Sequence, residues 1–146
     1  MFSGEYRHSL DKKNRLIIPS KFREILSEKY EDKFILTRGL DHCIFLYPPD
    51  EWRELERKAR ELTITKKDNR DFRRMLISGA VECVLDKQGR IMVPKNLQEH
   101  AAIKKDVIII GNIEKAEIWS KENWQGHWGT AKTFEELAEQ AEGVNL

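Results

Sequence analysis

The chain has 146 residues, of which 40% are hydrophobic and 35% are charged. This length allows one ordinary core, or two small units that share a surface, and the composition excludes a disordered chain. No apolar run approaches the roughly 20 residues that span a bilayer, and the N-terminus MFSGEYRH does not resemble a secretory signal. We therefore expect a cytoplasmic protein without a membrane partner.

The net charge of +1 conceals an uneven distribution of the charged residues. Residues 1–75 contain 18 basic and 14 acidic residues, whereas residues 76–146 contain 8 and 11. We therefore expect a polyanion to be bound mainly by the first half of the chain.

The first 50 residues are predicted to form four short strands and one helix. Strands are expected at Glu5–Leu10, Leu16–Ile18, Phe34–Thr37 and Cys43–Tyr47. The strand Leu16–Ile18 is apolar at every position, so we expect both of its faces to be buried. Pro19 and Ser20 are residue types that begin helices, and apolar residues follow at helical spacing as far as Tyr30.

Two helices are predicted in the segment that follows. The second has a basic face, whose members lie within about 120° on the helical wheel. They are Lys66, Lys67, Arg70, Arg73 and Arg74. Such a face is usually solvated, and contact with a DNA backbone or with another subunit is the alternative.

One stretch of the sequence occurs twice. LDKKNRLIIPSK at Leu10–Lys21 returns as LDKQGRIMVPKN at Leu85–Asn96, and the similarity continues, with a small deletion, from FILTRGLDHCIFLYPPDEW to VIIIGNIEKAEIWSKENW. We interpret this as a duplicated unit of about 45 residues. One unit is too small to complete a core and leaves unpaired strand edges, so two units have to pack together, within one chain, between chains, or both.

The repeat and the helices around it predict four segments. These are a first module at 5–50, a helical linker at 51–80, a second module at 81–124 and a C-terminal helical tail at 125–146. In the tail, Thr133 and Glu136 have the spacing of a capping box that begins an amphipathic helix.

The DxxxR motif in each copy falls in a turn between two strands. Asp11 and Asp86 are expected to accept hydrogen bonds from backbone N–H groups of the turn. Asn14 and Gly89, directly before the arginines, are the residue types that most readily adopt a positive φ. Arg15 and Arg90 then begin a strand, with Lys12, Lys13 and Lys87 near the tip of each turn.

Two interpretations of this motif remain open. An arginine held on a rigid turn can bind guanine O6 and N7 in the major groove while nearby lysines neutralise phosphates. Alternatively, Asp11–Arg15 and Asp86–Arg90 are structural ion pairs that brace the turns, which the spacing alone favours. The repetition of the motif is strong evidence for a duplicated module and no evidence, by itself, for DNA binding.

Three stretches carry a resemblance to a known family: FSGEYRHSLDKKNRLIIPSKFRE, LTRGLDHCIFLYPPDEW and SGAVECVLDKQGRIMVPKNL. They resemble the MraZ family of bacterial proteins, which are built from two tandem modules of the AbrB/SpoVT type. The resemblance implies an α+β fold in which two βαβ-type swapped-hairpin modules form a pseudo-symmetric β-barrel with linking and C-terminal helices. One departure is Asn14, where the family usually has glycine.

The resemblance also implies a function. Family members form ring-shaped homo-oligomers and regulate transcription, as repressors in our expectation, by binding repeated boxes upstream of their own operon in the cell-division and cell-wall gene cluster. The expected partners are double-stranded DNA in the nucleoid and further copies of the chain. The DNA-contacting residues would be Lys12, Lys13, Asn14, Arg15, Lys87, Gln88 and Arg90, with Asp11, Asp86 and Gly89 supporting the turns.

The sequence contains no catalytic motif of the common hydrolases, kinases or metalloproteases. We therefore expect no enzymatic activity, no catalytic residue, no metal, no cofactor and no small-molecule substrate. The alternative function is a ring-forming protein-interaction module without specific DNA binding. Because KKNR has three basic residues and KQGR two, the first turn is expected to contribute more to DNA binding, and Arg15 more than Arg90.

Overall fold

The computed structural model describes residues 1–129 and 132–146, and this part of the chain contains eight strands and six helices. The strands are β1 Glu5–Ser9, β2 Arg15–Ile17, β3 Lys33–Arg38, β4 Ile44–Tyr47, β5 Val81–Val84, β6 Arg90–Met92, β7 Asp106–Asn112 and β8 Lys115–Ser120. The helices are α1 Ser20–Tyr30, α2 Pro49–Arg60, α3 Lys67–Ser78, α4 Lys95–His100, α5 Lys121–His127 and α6 Phe134–Gln140. None of these helices is long and apolar enough to cross a membrane.

The strands form one six-stranded antiparallel sheet and one two-stranded ribbon. The sheet has the order β1-β7-β8-β4-β3-β5, and the ribbon consists of β2 and β6. Each edge strand pairs with a strand of the other sequence copy, because β1 of the first copy pairs with β7 and β5 of the second copy pairs with β3. Equivalent strands pair at the centre, β4 with β8 and β2 with β6. The order is therefore unchanged when the two copies are exchanged, which is a pseudo-twofold relation.

A single hydrophobic core lies on one face of the sheet and contains side chains from both copies. Leu16, Phe22 and Leu26 of the first copy pack in one cluster with residues of the second copy. These three residues, and Ile91 and Leu97 of the second copy, are at most 2% exposed. The two modules thus complete one core within a single chain.

The other face of the sheet is covered by helices that follow the central strands. Alternate residues of β3 and β4 point to this face, where Ile35 and Tyr47 form a small cluster with Trp52 of α2 and Leu76 of α3. On the β7–β8 half, Trp119 packs against Trp124 of α5, with ring centroids 5.3 Å apart. The tryptophans at these positions are packing residues.

One sequence-based expectation is not confirmed by the structure, and a second is wrong. The closed β-barrel is not confirmed, because the six-stranded sheet is open between β1 and β5 in the described part of the chain and the ribbon is separate from it. Strand Leu16–Ile18 is not buried on both faces, since Ile17 is 46% exposed. The outward face of a two-stranded ribbon has no second layer to cover it, a feature that an apolar tripeptide does not reveal.

The segment boundaries predicted from the repeat remain predictions, although several elements lie close to them. Helix α2 begins at Pro49, just before the predicted linker, and α3 ends at Ser78 inside it. The predicted tail at 125–146 includes residues 130 and 131, which lie outside the described residues. Its capping box at Thr133 and Glu136 is present at the start of α6.

Candidate nucleic-acid interface

The turn before β2 is held by the carboxylate of Asp11. Its Oδ1 accepts hydrogen bonds from the backbone N–H groups of Lys13 at 2.8 Å and Arg15 at 2.9 Å. The backbone closes the same turn through Asn14 N–H to Asp11 C=O at 3.0 Å, and Asn14 has φ of 62°. Asparagine adopts this left-handed conformation at modest cost, so the turn forms without the family's usual glycine.

The turn before β6 repeats this geometry. Asp86 Oδ1 accepts from the N–H groups of Gln88 at 2.9 Å and Arg90 at 2.8 Å, and Gly89, which donates to Asp86 C=O at 3.0 Å, has φ of 74°. The two turns therefore have the same local structure, which the repeated DxxxR spacing specifies.

Each arginine also binds its aspartate through one nitrogen of the guanidinium group. Arg15 Nε donates to Asp11 Oδ2 at 2.7 Å, and Arg90 Nε donates to Asp86 Oδ2 at 2.9 Å. The arginine side chains remain 30% and 23% exposed. The ion-pair brace is thus present and uses only Nε, because within the described residues neither pair of Nη atoms has a hydrogen-bond partner.

The aspartates are ionised throughout the physiological range. Backbone hydrogen bonds from Arg15, followed by the side-chain bond from that residue, lower the pKa of Asp11 below its ordinary value. The corresponding bonds from Arg90 lower the pKa of Asp86 in the same way. Both turns consequently keep their braced form at neutral pH.

The ribbon brings the two arginines to one surface. Arg15 lies opposite Met92, and Ile17 lies opposite Arg90. Leu16 and Ile91 point into the core, so all four flanking side chains lie on the outward face. Arg15 and Arg90 are therefore diagonal neighbours on that face, a relation in which residues of antiparallel strands are typically about 7–8 Å apart. The structure therefore combines two distant motifs into one surface.

The other predicted contact residues lie around this surface. Lys12, Lys13, Asn14, Lys87 and Gln88 are all exposed, whereas Gly89 is buried. The turns are also tied to the opposite strands, because Ile18 N–H donates to Gly89 C=O and Val93 N–H donates to Asn14 C=O, both at 3.0 Å. Each turn is thus positioned by the strand of the other copy.

Arg23 also belongs to this surface, although it was not among the residues predicted from the sequence. Its side chain extends from α1 of the first copy to the turn of the second, where a Cβ on Gly89 would overlap its Cδ and Nη1 atoms and lie 2.8 Å from its Nε. Arg23 Nε is buried and has no hydrogen-bond partner among the described residues. The residue at the equivalent position of the second copy is Gln98, which bonds to Val93 C=O at 2.8 Å.

A signal for Arg23 was present in the sequence. Two of the differences between the copies are paired: Gly89 of the second copy stands where the first has Asn14, and Gln98 stands where the first has Arg23. Because each turn lies beside the helix of the other copy, the glycine is found where the arginine needs room. The sequence alone does not show that the turn of one copy lies beside the helix of the other.

A known protein family matches both copies of the repeat. The model of the family described as "MraZ protein, putative antitoxin-like" matches twice, at residues 1–75 and 76–144. The chain belongs to the MraZ family. The two matches meet between residues 75 and 76, inside α3. They begin 75 residues apart, and the two turns are separated by the same distance in the sequence.

Several relatives are similar over their whole length. A protein of Thermoanaerobacter sp. (strain X514) is 52% identical, with 100% of both chains covered. One of Natranaerobius thermophilus is 54% identical over 96% of each chain, and one of Halothermothrix orenii is 49% identical over 100% of each. All three bear the name "Transcriptional regulator MraZ".

Proposed function

We propose that this protein is a sequence-specific DNA-binding transcriptional regulator that acts as a homo-oligomeric ring. The observation that carries the proposal is the pair of turns with the same aspartate–arginine brace, whose arginines share one outward face. The names of the family relatives support the same function. The proposed target is a set of repeated boxes upstream of the protein's own operon, with repression as the outcome.

The proposed mechanism divides the work within each turn. Exposed lysines, such as Lys13 and Lys87, neutralise phosphates, which supplies affinity for any DNA sequence. The Nη atoms of Arg15 and Arg90 donate to guanine O6 and N7, which supplies discrimination of about 1–3 kcal/mol for a good bidentate pair. Because the aspartates already hold Nε, little side-chain freedom is lost on binding.

Arg23 changes the expected difference between the two turns. The first turn has Lys12, Lys13 and Arg15, whereas the second has Lys87 and Arg90 and gains a third cation from Arg23 of the first copy. We therefore propose that both turns bind DNA to a similar extent. This revises the expectation, based on charge in the sequence alone, that the first turn dominates.

A ring adds the contacts of several such surfaces. Each surface offers two arginines and a few phosphate contacts, which is a small interface by itself. Linked binding of repeated boxes raises the total affinity through the effective concentration of the second and later sites. The cytoplasm, where the nucleoid lies, is the proposed location.

The test compares Arg15→Ala with Arg15→Lys. Fluorescence anisotropy would measure the affinity of each for DNA from upstream of the protein's own gene and for a scrambled duplex, at several salt concentrations. We expect both variants to lose about ten-fold or more of the preference for the upstream DNA, while Arg15→Lys retains non-specific affinity because it keeps the charge. Circular dichroism checks the fold, which should persist because Asp11 Oδ1 still accepts two backbone N–H groups.

Two outcomes would contradict this proposal. Arg15→Ala that discriminates as well as the wild type would show that the arginine is only a structural brace. Absence of binding of the wild type to any upstream DNA at physiological salt would favour the alternative, a ring-forming protein-interaction module.

A further inference from the structure

Helix α6 presents an apolar stripe that is exposed in the described part of the chain. Phe134 is 70% exposed and Leu137 is 42% exposed, one turn apart on the same side of the helix. Within the described residues, the hydrogen bonds of α6 connect only residues 133–141. Its capping box satisfies backbone N–H groups at its N-terminus, which favours the helical conformation of this short segment.

The charge of this segment is strongly negative. Glu135, Glu136, Glu139 and Glu142 outnumber the single Lys132 in the described residues 132–146. On a helical wheel with about 100° per residue, Glu135 lies about 100° from Phe134 at one side of the apolar stripe, and Glu139 lies about 40° farther round on that side. The surface that covers α6 should therefore be apolar at its centre and basic at its rim.

A groove between α2 and α3 has this character. It has a volume of about 730 Å³, and its apolar residues are Ala59, Ile64 and Ile77. Ile64 is 60% exposed and Ile77 is 41% exposed. The rim is basic and is formed by Arg60, Arg70, Arg73 and Arg74, with Glu56 as the acidic member.

Two of the rim arginines are engaged locally and two are not. Arg70 donates to the carbonyl groups of Ile64 and Thr65, and Arg74 pairs with Asp71 at 3.1 Å. Within residues 1–129 and 132–146, neither a hydrogen bond nor an ion pair is formed by the side chains of Arg60 and Arg73. Two guanidinium groups beside an exposed apolar floor are thus available to carboxylates.

We propose that α6 of one subunit docks in the α2–α3 groove of a second copy of this chain. Phe134 and Leu137 cover Ile64 and Ile77, while glutamates of α6 pair with Arg60 and Arg73. A second copy, rather than the same chain, is the occupant because both surfaces are exposed together in the single chain. The proposal rests on the self-association included in the proposed function and assigns the surfaces that carry it.

Disulfide trapping tests this contact in the full chain. A Leu137→Cys, Ile77→Cys double variant, oxidised under mild conditions, should form a covalent ladder of two or more subunits on a non-reducing gel, with the 77–137 bond found by peptide mapping. The matched control, Leu137→Cys with Ile113→Cys, should not give the corresponding bond, because Ile113 is 64% exposed but lies in the turn between β7 and β8. A 77–137 bond confined to single chains, or its absence, would overturn the proposal.

Charge inversion gives a second, independent readout. Arg60→Glu with Arg73→Glu, and separately Glu135→Lys with Glu139→Lys, should each weaken self-association at least ten-fold in sedimentation velocity. A mixture of the two variants should recover it, because an acidic groove then meets a basic helix. Unchanged association of both variants, or failure of the mixture to recover it, would contradict the proposal.

The outcomes separate this contact from DNA binding. The affinity of the Glu135→Lys, Glu139→Lys variant for a duplex with one box measures DNA binding by the turns alone. The avidity of a ring does not contribute to this affinity. Trapped subunits without specific DNA binding would leave the contact standing and overturn the regulatory function. Specific DNA binding without trapped subunits would overturn the proposed contact and leave the regulatory function standing.

Discussion

At the scale of single residues, the two turns show how one pair of side chains serves structure while leaving room for recognition. Asp11 fixes backbone N–H groups and holds Arg15 through Nε. The competing interpretations of DxxxR, ion pair and DNA probe, concern different atoms of the same guanidinium group and are compatible. The two turns differ in sequence at Lys13 and Gln88 and at Asn14 and Gly89, and the side chain of Arg23 occupies the space beside Gly89.

Exchange of the turn residues tests this difference. Gly89→Asn should lower the free energy of unfolding by about 1–3 kcal/mol, because the new side chain overpacks against Arg23 even though asparagine accepts the positive φ. Asn14→Gly should change it by less than about 1 kcal/mol. Urea denaturation gives both values, and Gly89→Asn combined with Arg23→Ala should recover most of the loss. Equal effects of Gly89→Asn and Asn14→Gly would show that Arg23 does not restrict the turn.

The carboxylates of the turns predict a dependence of stability on pH. The pKa values of Asp11 and Asp86 are lowered in the folded protein, so both groups bind protons more weakly there than in the unfolded chain. Their contribution is present above the unfolded value near 3.8 and is lost as the pH falls through the lower folded value. The melting temperature of the double variant Asp11→Asn, Asp86→Asn should fall less between about pH 5 and pH 3 than that of the wild type. This is roughly the range in which such carboxylates begin to bind protons. An identical pH profile would contradict the assigned hydrogen bonds.

At the scale of elements, α2 and α3 are held on the sheet by few buried residues. Leu76 is 6% exposed and packs with Trp52 and Tyr47, and Thr37 Oγ1 donates to Leu76 C=O at 2.6 Å. These contacts fix the groove between the helices as well as the helices themselves.

Leu76→Ala should therefore lower the free energy of unfolding by about 2–4 kcal/mol through a cavity at this contact. Met75→Ala, at a neighbouring position that is 53% exposed, is the control and should cost less than about 1 kcal/mol. Chemical denaturation measures both. Similar values for the two variants would mean that α3 is not held by Leu76.

At the scale of the whole molecule, neither module is complete by itself, because each edge strand of the sheet pairs with a strand of the other copy. Strand β1 pairs only with β7, and β5 pairs only with β3, among the described residues. The core residues of each copy are covered by those of the other.

Separate fragments 1–80 and 81–146 should accordingly be unfolded as monomers and should fold when mixed. Circular dichroism and the dispersion of amide NMR resonances would measure folding of each fragment and of the mixture. A fragment that is folded and monomeric by itself would contradict the shared core.

The sequence by itself determined the local structure. The positive φ at Asn14 and Gly89, the aspartate brace and the capping box of α6 depend on residues at most four positions apart, so residue type and spacing specify them. The duplication also indicated that two units share one core. Local patterns could not show the exposed outer face of Ile17 or the open sheet.

Only the tertiary structure decided which copy lies beside which turn. Strand pairing across more than 70 residues, such as Arg15 with Met92, depends on the burial of the whole apolar set and on no single short motif. That pairing places Arg15 and Arg90 on one face and brings Arg23 to Gly89. The composition of the candidate site therefore follows from the swapped packing of the two modules, because long-range contacts bring together residues that are distant in the sequence.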